Sequence, residues 1–179
     1  IDHGWLSLEQ HKTIFLISTA NHIVLFIRIH ELSYNYVARA LSLEAYGIMT
    51  LMVNTPDDVL KIISSSKYSP KGKRGAGFSF ADDNYIIQDP LLYIKNANKS
   101  LINIIQIETK TALENVDEIA SIVGVDCLWV GHFDLTNFLG VPGDFNSKIY
   151  LDAISDIVIA AKSNNKSLGI MVNNKQELE

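Results

Sequence analysis

A chain of 179 residues with an apolar fraction of 47% is long enough for one domain with a hydrophobic core, and this composition excludes an intrinsically disordered protein. Its formal net charge of −5 offers no basic footprint for nucleic acid, and no apolar run is long enough to cross a membrane. The single cysteine, Cys127, excludes an internal disulfide framework and is typical of a reducing compartment, so we expect a cytoplasmic protein.

Short β-branched apolar runs alternate with segments of helical periodicity along the chain. This alternation predicts strands at 22–29, 47–53, 102–107, 127–130 and 167–172, and helices at 33–45, from Thr55 onward, at 109–122 and at 149–163. Ser33 is a predicted N-cap, and Thr55 is followed by a proline and two acids that favour a first helical turn. Residues 67–90, rich in Gly, Ser and Asp, form a loop of a length typical of functional or mobile segments.

The predicted strands are continuous apolar runs, which indicates burial on both faces. Together with the intervening helices, they predict an α/β fold with a parallel sheet. An open doubly wound sheet and a closed (β/α)8 barrel both satisfy this pattern. No G-x-G-x-x-G segment follows a strand, which argues against a dinucleotide-binding protein.

Polar residues gather where the predicted strands end, which is where parallel barrels carry their chemistry. They are Asp2 and His3 at the first strand end, Arg28 at the second, Gln106 and Glu108 at the third, and Asp134 at the fourth. Gln106 and Glu108 alternate along one strand and should share a face, where Asp134 of the next unit can approach Glu108.

These residue types suit enolate chemistry. Two carboxylates completed by water are typical of Mg²⁺ or Mn²⁺ sites, which makes Glu108 and Asp134 candidate metal ligands. Arg28 has the planar fork that binds a carboxylate, and His3 can transfer a proton. A metal and an arginine that hold a 2-oxo acid would stabilise its enolate oxygen.

Each of these side chains also has a structural interpretation, and spacing alone leaves both open. Glu108 can simply favour the start of the next helix, and Asp134 can be an N-cap. Arg28 can be an ion-pair partner, and His3 a surface or packing histidine, as can His30 and His132. Cys127, inside an apolar run, is expected to be a small packing residue and not a nucleophile.

Five segments of the chain carry short sequence motifs, in a fixed order and with consistent spacing. They are Asp2-His3-Gly4, Met52-Val53-Asn54-Thr55, Tyr68-Ser69-Pro70-Lys71-Gly72-Lys73-Arg74-Gly75, Gln106-Ile107-Glu108-Thr109 continued by Leu113-Glu114-Asn115-Val116-Asp117-Glu118-Ile119, and Val130-Gly131-His132-Phe133-Asp134-Leu135-Thr136. They resemble the E-H-G, M-V-x-T, Y-P-P-x-G-x-R-G, Q-I-E-T…L-E-N-x-D-E-I and G-x-x-D-L segments of the HpcH/HpaI aldolases. The last segment is similar to a G-H-F-D-L subgroup of that family.

This resemblance implies a (β/α)8 barrel of the phosphoenolpyruvate/pyruvate-binding type, of about 250 residues. Residues 1–179 are then expected to be one barrel domain that lacks its first strand and the eighth βα unit. The implied activity is that of a class II aldehyde-lyase, which reversibly cleaves a 4-hydroxy-2-oxo acid to pyruvate and an aldehyde. The implied cofactor is Mg²⁺ or Mn²⁺, with Co²⁺ and Zn²⁺ as alternatives. The expected partners are these small molecules and further copies of the chain in a trimer or hexamer, without nucleic acid or membrane.

The resemblance also implies a role for each site residue. Glu108 and Asp134 would be the metal ligands, and Gln106 would contact the oxo acid or a metal-bound water. Arg28 would hold the pyruvoyl oxygens, and His3 would be the acid/base. The backbone at Phe133 and Asp134 would bind the pyruvate carboxylate. Arg74 and Gly75 lie in a loop that either approaches the active site or is a solvated basic turn.

The chain departs from the family pattern at Ser42, where many members have an aspartate that raises the basicity of the histidine. Serine cannot supply that charge, so proton transfer is either weaker or arranged differently. Thr50 and Leu51 replace a common V-P pair. Two rival functions stay open: a citrate-lyase-like acyl-CoA lyase, and a barrel that has lost turnover and serves as a binding or scaffold protein.

Overall fold

The computed structural model describes residues 13–14, 16–18, 20–42, 45–77 and 89–172. The strands are β1 (Phe26–Ile29), β2 (Gly47–Thr50), β3 (Ile102–Ile107), β4 (Cys127–Val130) and β5 (Ser167–Ile170), in the sheet order β1-β2-β3-β4-β5. From Tyr34 onward, the helices of the described residues are α1 (Tyr34–Leu41), α2 (Pro56–Ser66), α3 (Pro90–Ser100), α4 (Lys110–Glu114), α5 (Val116–Ser121), α6 (His132–Phe138) and α7 (Lys148–Ser163). No helix of the described residues has both the length and the apolar character that crossing a membrane requires.

The chain forms two compact units. The first comprises the described residues up to Thr50 together with Leu60–Asn103. Here β1 and β2 pair in parallel, with Arg28 opposite Met49. Its fully buried side chains include Val37, Ile48 and Ile62. Within it, Ser33 caps α1 by accepting a hydrogen bond from the Tyr36 N–H at 3.5 Å, which agrees with the predicted N-cap.

The second unit comprises Leu51–Val59 and the described residues from Ile104 onward. Strands β3, β4 and β5 run parallel, with Gln106 opposite Trp129 and Trp129 opposite Gly169. The apolar side chains of this unit's core have no exposed surface at Ile105, Ile107, Leu128, Leu135 and Ile157. This core fixes the carboxyl ends of β3 and β4, where the predicted site residues Gln106, Glu108 and Asp134 lie.

The predicted strands at 102–107 and 127–130 have the observed bounds of β3 and β4. The predicted 22–29 strand was too long, because His22 has a φ of +57° and the strand begins only at Phe26. The predicted 47–53 strand ends at Thr50, because Met52 has a φ of +52°. A strand cannot continue through this left-handed backbone region.

The predicted helix at 109–122 is two helices, because Asn115 leaves the helical conformation with φ −102° and ψ 9°. Helix α3 was not predicted, although Asp89 accepts N–H hydrogen bonds as its N-cap and Pro90 is its first residue. Helix α2 begins as predicted, with the Thr55 hydroxyl accepting from the Asp58 N–H at 3.3 Å and the Asp58 carboxylate accepting from the Thr55 N–H at 3.1 Å. One domain over 1–179 stays a prediction.

Candidate active site

Gln106 and Glu108 share a face at the carboxyl end of β3, as their alternation predicts. The Gln106 amide donates to one Glu108 carboxylate oxygen at 2.5 Å. The Met52 N–H donates to the other oxygen at 2.6 Å. Gln106 is 4% exposed and Glu108 3% exposed. A buried carboxylate needs such donors, and these two fix its orientation.

Gly131 lies against this carboxylate at the carboxyl end of β4. Its N–H donates to the Ile107 carbonyl at 3.0 Å, which places its α-carbon beside the Glu108 side chain. A Cβ added here would lie 2.6 Å from the Glu108 Cβ and 2.7 Å from the Gln106 Nε2. Only glycine fits this close approach, so the absence of a side chain at 131 is part of the site's construction.

Asp134 follows in the first turn of α6, and its side chain is exposed. The N-cap of this helix is Gly131, so the interpretation of Asp134 as an N-cap is wrong. Three residues of helix advance the chain by about 4.5 Å, which keeps this carboxylate close to the strand end. The helix start also favours a negative charge at this position.

The donor set at this strand end fits a hard divalent cation. The Met52 N–H and the Gln106 amide each donate one hydrogen bond to Glu108, and a carboxylate offers about four lone-pair positions, so these two bonds alone do not saturate it. Among the described residues there is no group of three or more His, Cys, Asp and Glu side chains arranged to hold a metal. Two carboxylates, Glu108 and Asp134, with water and substrate oxygens in the remaining positions, are a typical arrangement for Mg²⁺.

An aromatic cluster flanks Gly131 on the α6 side. The His132 ring centroid lies 4.5 Å from that of Phe133 and 5.1 Å from that of Phe145. His132 is 7% exposed, whereas Phe133 is 55% exposed. The packing interpretation of His132 therefore agrees with the structure, and Phe133 presents an apolar face beside the candidate site.

The turn after β2 makes contacts that sequence reasoning missed, although Met52-Val53-Asn54-Thr55 is one of the five segments that resemble the family. Met52 has a left-handed backbone, and its carbonyl accepts a hydrogen bond from the Asn54 amide at 3.1 Å. The other end of the Asn54 amide accepts from the Thr109 hydroxyl at 2.5 Å. No spacing rule links residues so distant in sequence, so only the fold could reveal these contacts. Gly131 did carry a signal, because a glycine between a strand and a helix often marks a close backbone approach.

The first unit holds Arg28, half-buried within β1. It lies one residue before the end of this strand, close to the predicted position. Ser42 ends α1, and its hydroxyl donates to the Ala38 carbonyl of the same helix at 3.0 Å. His3, the predicted acid/base, and Asp2 lie outside the described residues.

Arg74 is anchored within the same unit. Its guanidinium donates to the Leu41 carbonyl at 3.2 Å and lies 4.6 Å from the centre of the Tyr68 ring. The Gly75 N–H donates to the Tyr34 hydroxyl at 2.9 Å. Arg74 is thus held in place by these contacts, whereas Lys71, Lys73 and Gly75 around it are exposed, as in a solvated basic turn.

Cys127 on β4 is half-buried, and its thiol donates to the Leu128 carbonyl at 3.3 Å. Burial, followed by the charge of Asp126, raises the pKa of this thiol from its ordinary 9.0 to about 11. A thiol with so high a pKa is a poor nucleophile at neutral pH, which agrees with the expected packing role.

Residues 10–179 match the family model described as HpcH/HpaI aldolase/citrate lyase. The chain belongs to this family. Its HpcH/HpaI match includes every described residue of the candidate site.

A curated relative, 2-keto-3-deoxy-L-rhamnonate aldolase of Salmonella gallinarum (strain 287/91 / NCTC 13346), is 30% identical over 152 residues, which are 81% of this chain and 54% of the relative. The chain thus spans about half the length of the HpcH/HpaI relative it matches.

Two solved structures of the HpcH/HpaI family have similar folds. The aldolase from Desulfitobacterium hafniense DCB-2 has a TM-score of 0.93 at 22% identity, covering 98% of this chain and 68% of that chain. The aldolase/citrate lyase family protein from Burkholderia cenocepacia J2315 has a TM-score of 0.87 at 26% identity, covering 96% of this chain and 68% of that one. The predicted α/β fold of the barrel-forming type is confirmed by this likeness.

Proposed function

We propose that the protein is a divalent-metal-dependent pyruvate aldolase, which reversibly cleaves a 4-hydroxy-2-oxo acid to pyruvate and an aldehyde. One observation carries this proposal: the buried Glu108 carboxylate is held by two N–H donors against the bare backbone of Gly131, with exposed Asp134 three residues further on. Membership of a family of carbon–carbon lyases supports the same reaction class.

Glu108 and Asp134 would hold the metal ion, Mg²⁺ or Mn²⁺ before Co²⁺ or Zn²⁺, because both ligands are hard carboxylates. The ion would supply Lewis acidity at the 2-oxo group. Gln106, which already fixes one Glu108 oxygen, would contact the oxo acid through its amide. The backbone at Phe133 and Asp134 would orient the pyruvate carboxylate at the start of α6.

Arg28 and His3 would complete the reaction. His3 would accept the proton of the 4-hydroxyl while the bond between C3 and C4 breaks, which releases the aldehyde and leaves the pyruvate enolate. Arg28 would stabilise the negative enolate oxygen, and protonation of C3 would then give pyruvate. Ser42 donates to its own helix and carries no charge, so it would not raise the basicity of His3 as an aspartate does.

The proposed setting is a cytoplasmic homo-oligomer, a trimer or hexamer, that acts on small molecules. Two other functions are less well supported. The family description includes citrate lyases, which makes an acyl-CoA substrate the closer rival. A barrel without turnover would have no need of a buried carboxylate that Gln106 and Met52 orient and that packs against the Gly131 backbone.

The deciding experiment is the exchange of pyruvate methyl protons with D₂O, followed by NMR on the full-length protein with Mn²⁺ and with EDTA. Glu108→Gln should abolish exchange, because an amide is a much weaker ligand than a carboxylate. Glu114→Gln is the matched control: this carboxylate is exposed on α4 and pairs with Lys110 at 3.9 Å. The Glu114→Gln variant should exchange pyruvate methyl protons at the same rate as the parent protein.

Exchange that needs both the metal and Glu108 would establish enolate formation at this site. A folded protein that exchanges no pyruvate protons with any divalent metal would contradict the aldolase proposal and favour the silent barrel. Binding of an acyl-CoA ester, measured by calorimetry, would favour the citrate-lyase-like rival.

A further inference from the structure

The turn after β2 places a strained residue against Glu108. Met52 has a φ of +52°, a backbone region that is costly for a residue with a side chain. This conformation directs its N–H at the Glu108 carboxylate oxygen 2.6 Å away. Such a residue stays in place only when its surroundings hold it there, so the contacts of this turn decide how firmly Glu108 is oriented.

The Asn54 side chain is the element that holds this turn. Its amide nitrogen donates to the Met52 carbonyl at 3.1 Å, and its amide oxygen accepts from the Thr109 hydroxyl at 2.5 Å. Thr109 is the residue directly after Glu108. The half-buried Asn54 side chain therefore links Met52, whose N–H binds Glu108, to Thr109, which follows Glu108 in the chain.

Two main-chain hydrogen bonds fix Asn54 itself. Its main-chain carbonyl accepts from the Asn115 amide at 2.9 Å, and its N–H donates to the Asp58 carboxylate at 3.3 Å. Asn115 stands at the break between α4 and α5. The start of α2 and this helix break thus both support the turn.

We propose that Asn54 is a positioning residue for Glu108: it locks the left-handed turn at Met52 so that the Met52 N–H orients the buried carboxylate. An amide is needed because it donates at one end and accepts at the other, which aspartate and alanine cannot do. The expected effect of Asn54 on metal affinity rests on the proposed metal-binding role of Glu108, whereas its expected effect on the Met52 hydrogen bond does not.

The test compares Asn54→Ala and Asn54→Asp with the control Asn164→Ala in the full-length protein. Asn164 is also half-buried in the second unit, and its amide donates to the Ala160 carbonyl at 2.9 Å, away from Glu108. Asn54→Asp keeps an acceptor for Thr109 and loses the donor to Met52, so it isolates that bond. Two quantities are measured: the deuterium uptake of peptides that contain the Met52 amide, and the Mn²⁺ dissociation constant from the EPR signal of free Mn²⁺.

Both Asn54 variants should exchange the Met52 amide faster than the parent, and both should bind Mn²⁺ about tenfold more weakly, as loss of an orienting contact behind a metal ligand does. Asn164→Ala should leave both quantities unchanged. Met52 exchange that is unaltered in both Asn54 variants would overturn the proposal, and so would parent-like behaviour of Asn54→Asp. A third outcome is faster Met52 amide exchange in both Asn54 variants together with an Mn²⁺ affinity that Glu108→Gln does not change. It would support the positioning role of Asn54 and contradict the proposed metal site.

Discussion

The α-carbon of Gly131 lies so close to Glu108 that a Cβ added to it would be 2.6 Å from the Glu108 Cβ and 3.1 Å from its Oε2. Real carbon atoms do not approach one another so closely without a shift of their surroundings. The candidate metal ligand and the start of α6 are therefore coupled through direct packing.

Gly131→Ala should displace the Glu108 carboxylate and lower the rate of pyruvate proton exchange at least a hundredfold. Overpacking of this kind should also lower the free energy of unfolding by about 1–3 kcal/mol. Gly140→Ala is the control, because a Cβ there meets nothing within 4 Å although φ is +81°. Its backbone strain should cost about 1–2 kcal/mol and leave the exchange rate near that of the parent. Equal exchange rates in the two variants would contradict the coupling.

Thr50→Val should stabilise the protein. The Thr50 side chain has no exposed surface, and its hydroxyl has no hydrogen-bond partner among the residues that the structure describes. Valine has the same shape without the cost of a buried unsatisfied hydroxyl, so we expect the free energy of unfolding to rise by about 1 kcal/mol. Urea unfolding followed by circular dichroism measures this change.

Thr136→Val is the matched control for that gain. Thr136 is equally buried, but its hydroxyl donates to the Phe133 carbonyl at 2.8 Å and accepts from the Gly143 N–H at 3.1 Å. Its replacement should lower stability by about 1–2 kcal/mol. A loss of stability at both positions would show that Thr50 has a partner in solution.

Arg74→Lys should destabilise the 68–75 segment almost as much as Arg74→Ala. The guanidinium both covers the Tyr68 ring at 4.6 Å and donates to the Leu41 carbonyl. A lysine cannot supply the planar group that makes both contacts at once. We expect each variant to lose about 1–2 kcal/mol of unfolding free energy. Full retention of stability in the lysine variant would show that charge alone matters there.

The Cys127 thiol should react with iodoacetamide slowly at pH 7–8 in the folded protein, and the rate should rise about tenfold per pH unit until the pKa of about 11. In urea the rate should level off near the ordinary pKa of 9.0. A pKa raised by folding means that the unfolded chain loses this proton first. The stability that Cys127 contributes is therefore complete below pH 9 and is lost as the pH rises towards 11.

Cys127→Ala removes this titration and checks its sign. The unfolding free energy of the variant should fall less steeply between pH 9 and 11 than that of the parent. Parallel pH profiles would show that the folded thiol titrates like an unfolded one.

The local patterns of the sequence were enough to predict β3, β4 and the shared face of Gln106 and Glu108. Continuous apolar runs leave few alternatives for a strand, and a period of two then assigns the faces. Helix α6 was missed because Gly131-His132-Phe133 follows β4 without any capping side chain. The break at Asn115 was missed because Leu113 and Glu114, directly before it, are good helix formers.

The contacts of Met52 and Asn54 are beyond such reasoning. They depend on a left-handed turn at a methionine, for which the sequence holds no signal, and they join residues more than fifty positions apart. A hydrogen bond of this kind is defined by tertiary structure, so the donors that orient Glu108 could not be inferred from the motif that contains it.

The two hydrogen-bond donors on Glu108 bear on the stability of the folded chain when no metal ion is bound there. A buried negative charge that loses a cation is ordinarily left uncompensated, and many metal-binding domains unfold when chelated. Here the Met52 N–H and the Gln106 amide keep both carboxylate oxygens solvated by the protein itself. On the proposed metal-binding role of Glu108, the folded chain would release one divalent cation and accept another, and the bound ion would follow the supply in its surroundings.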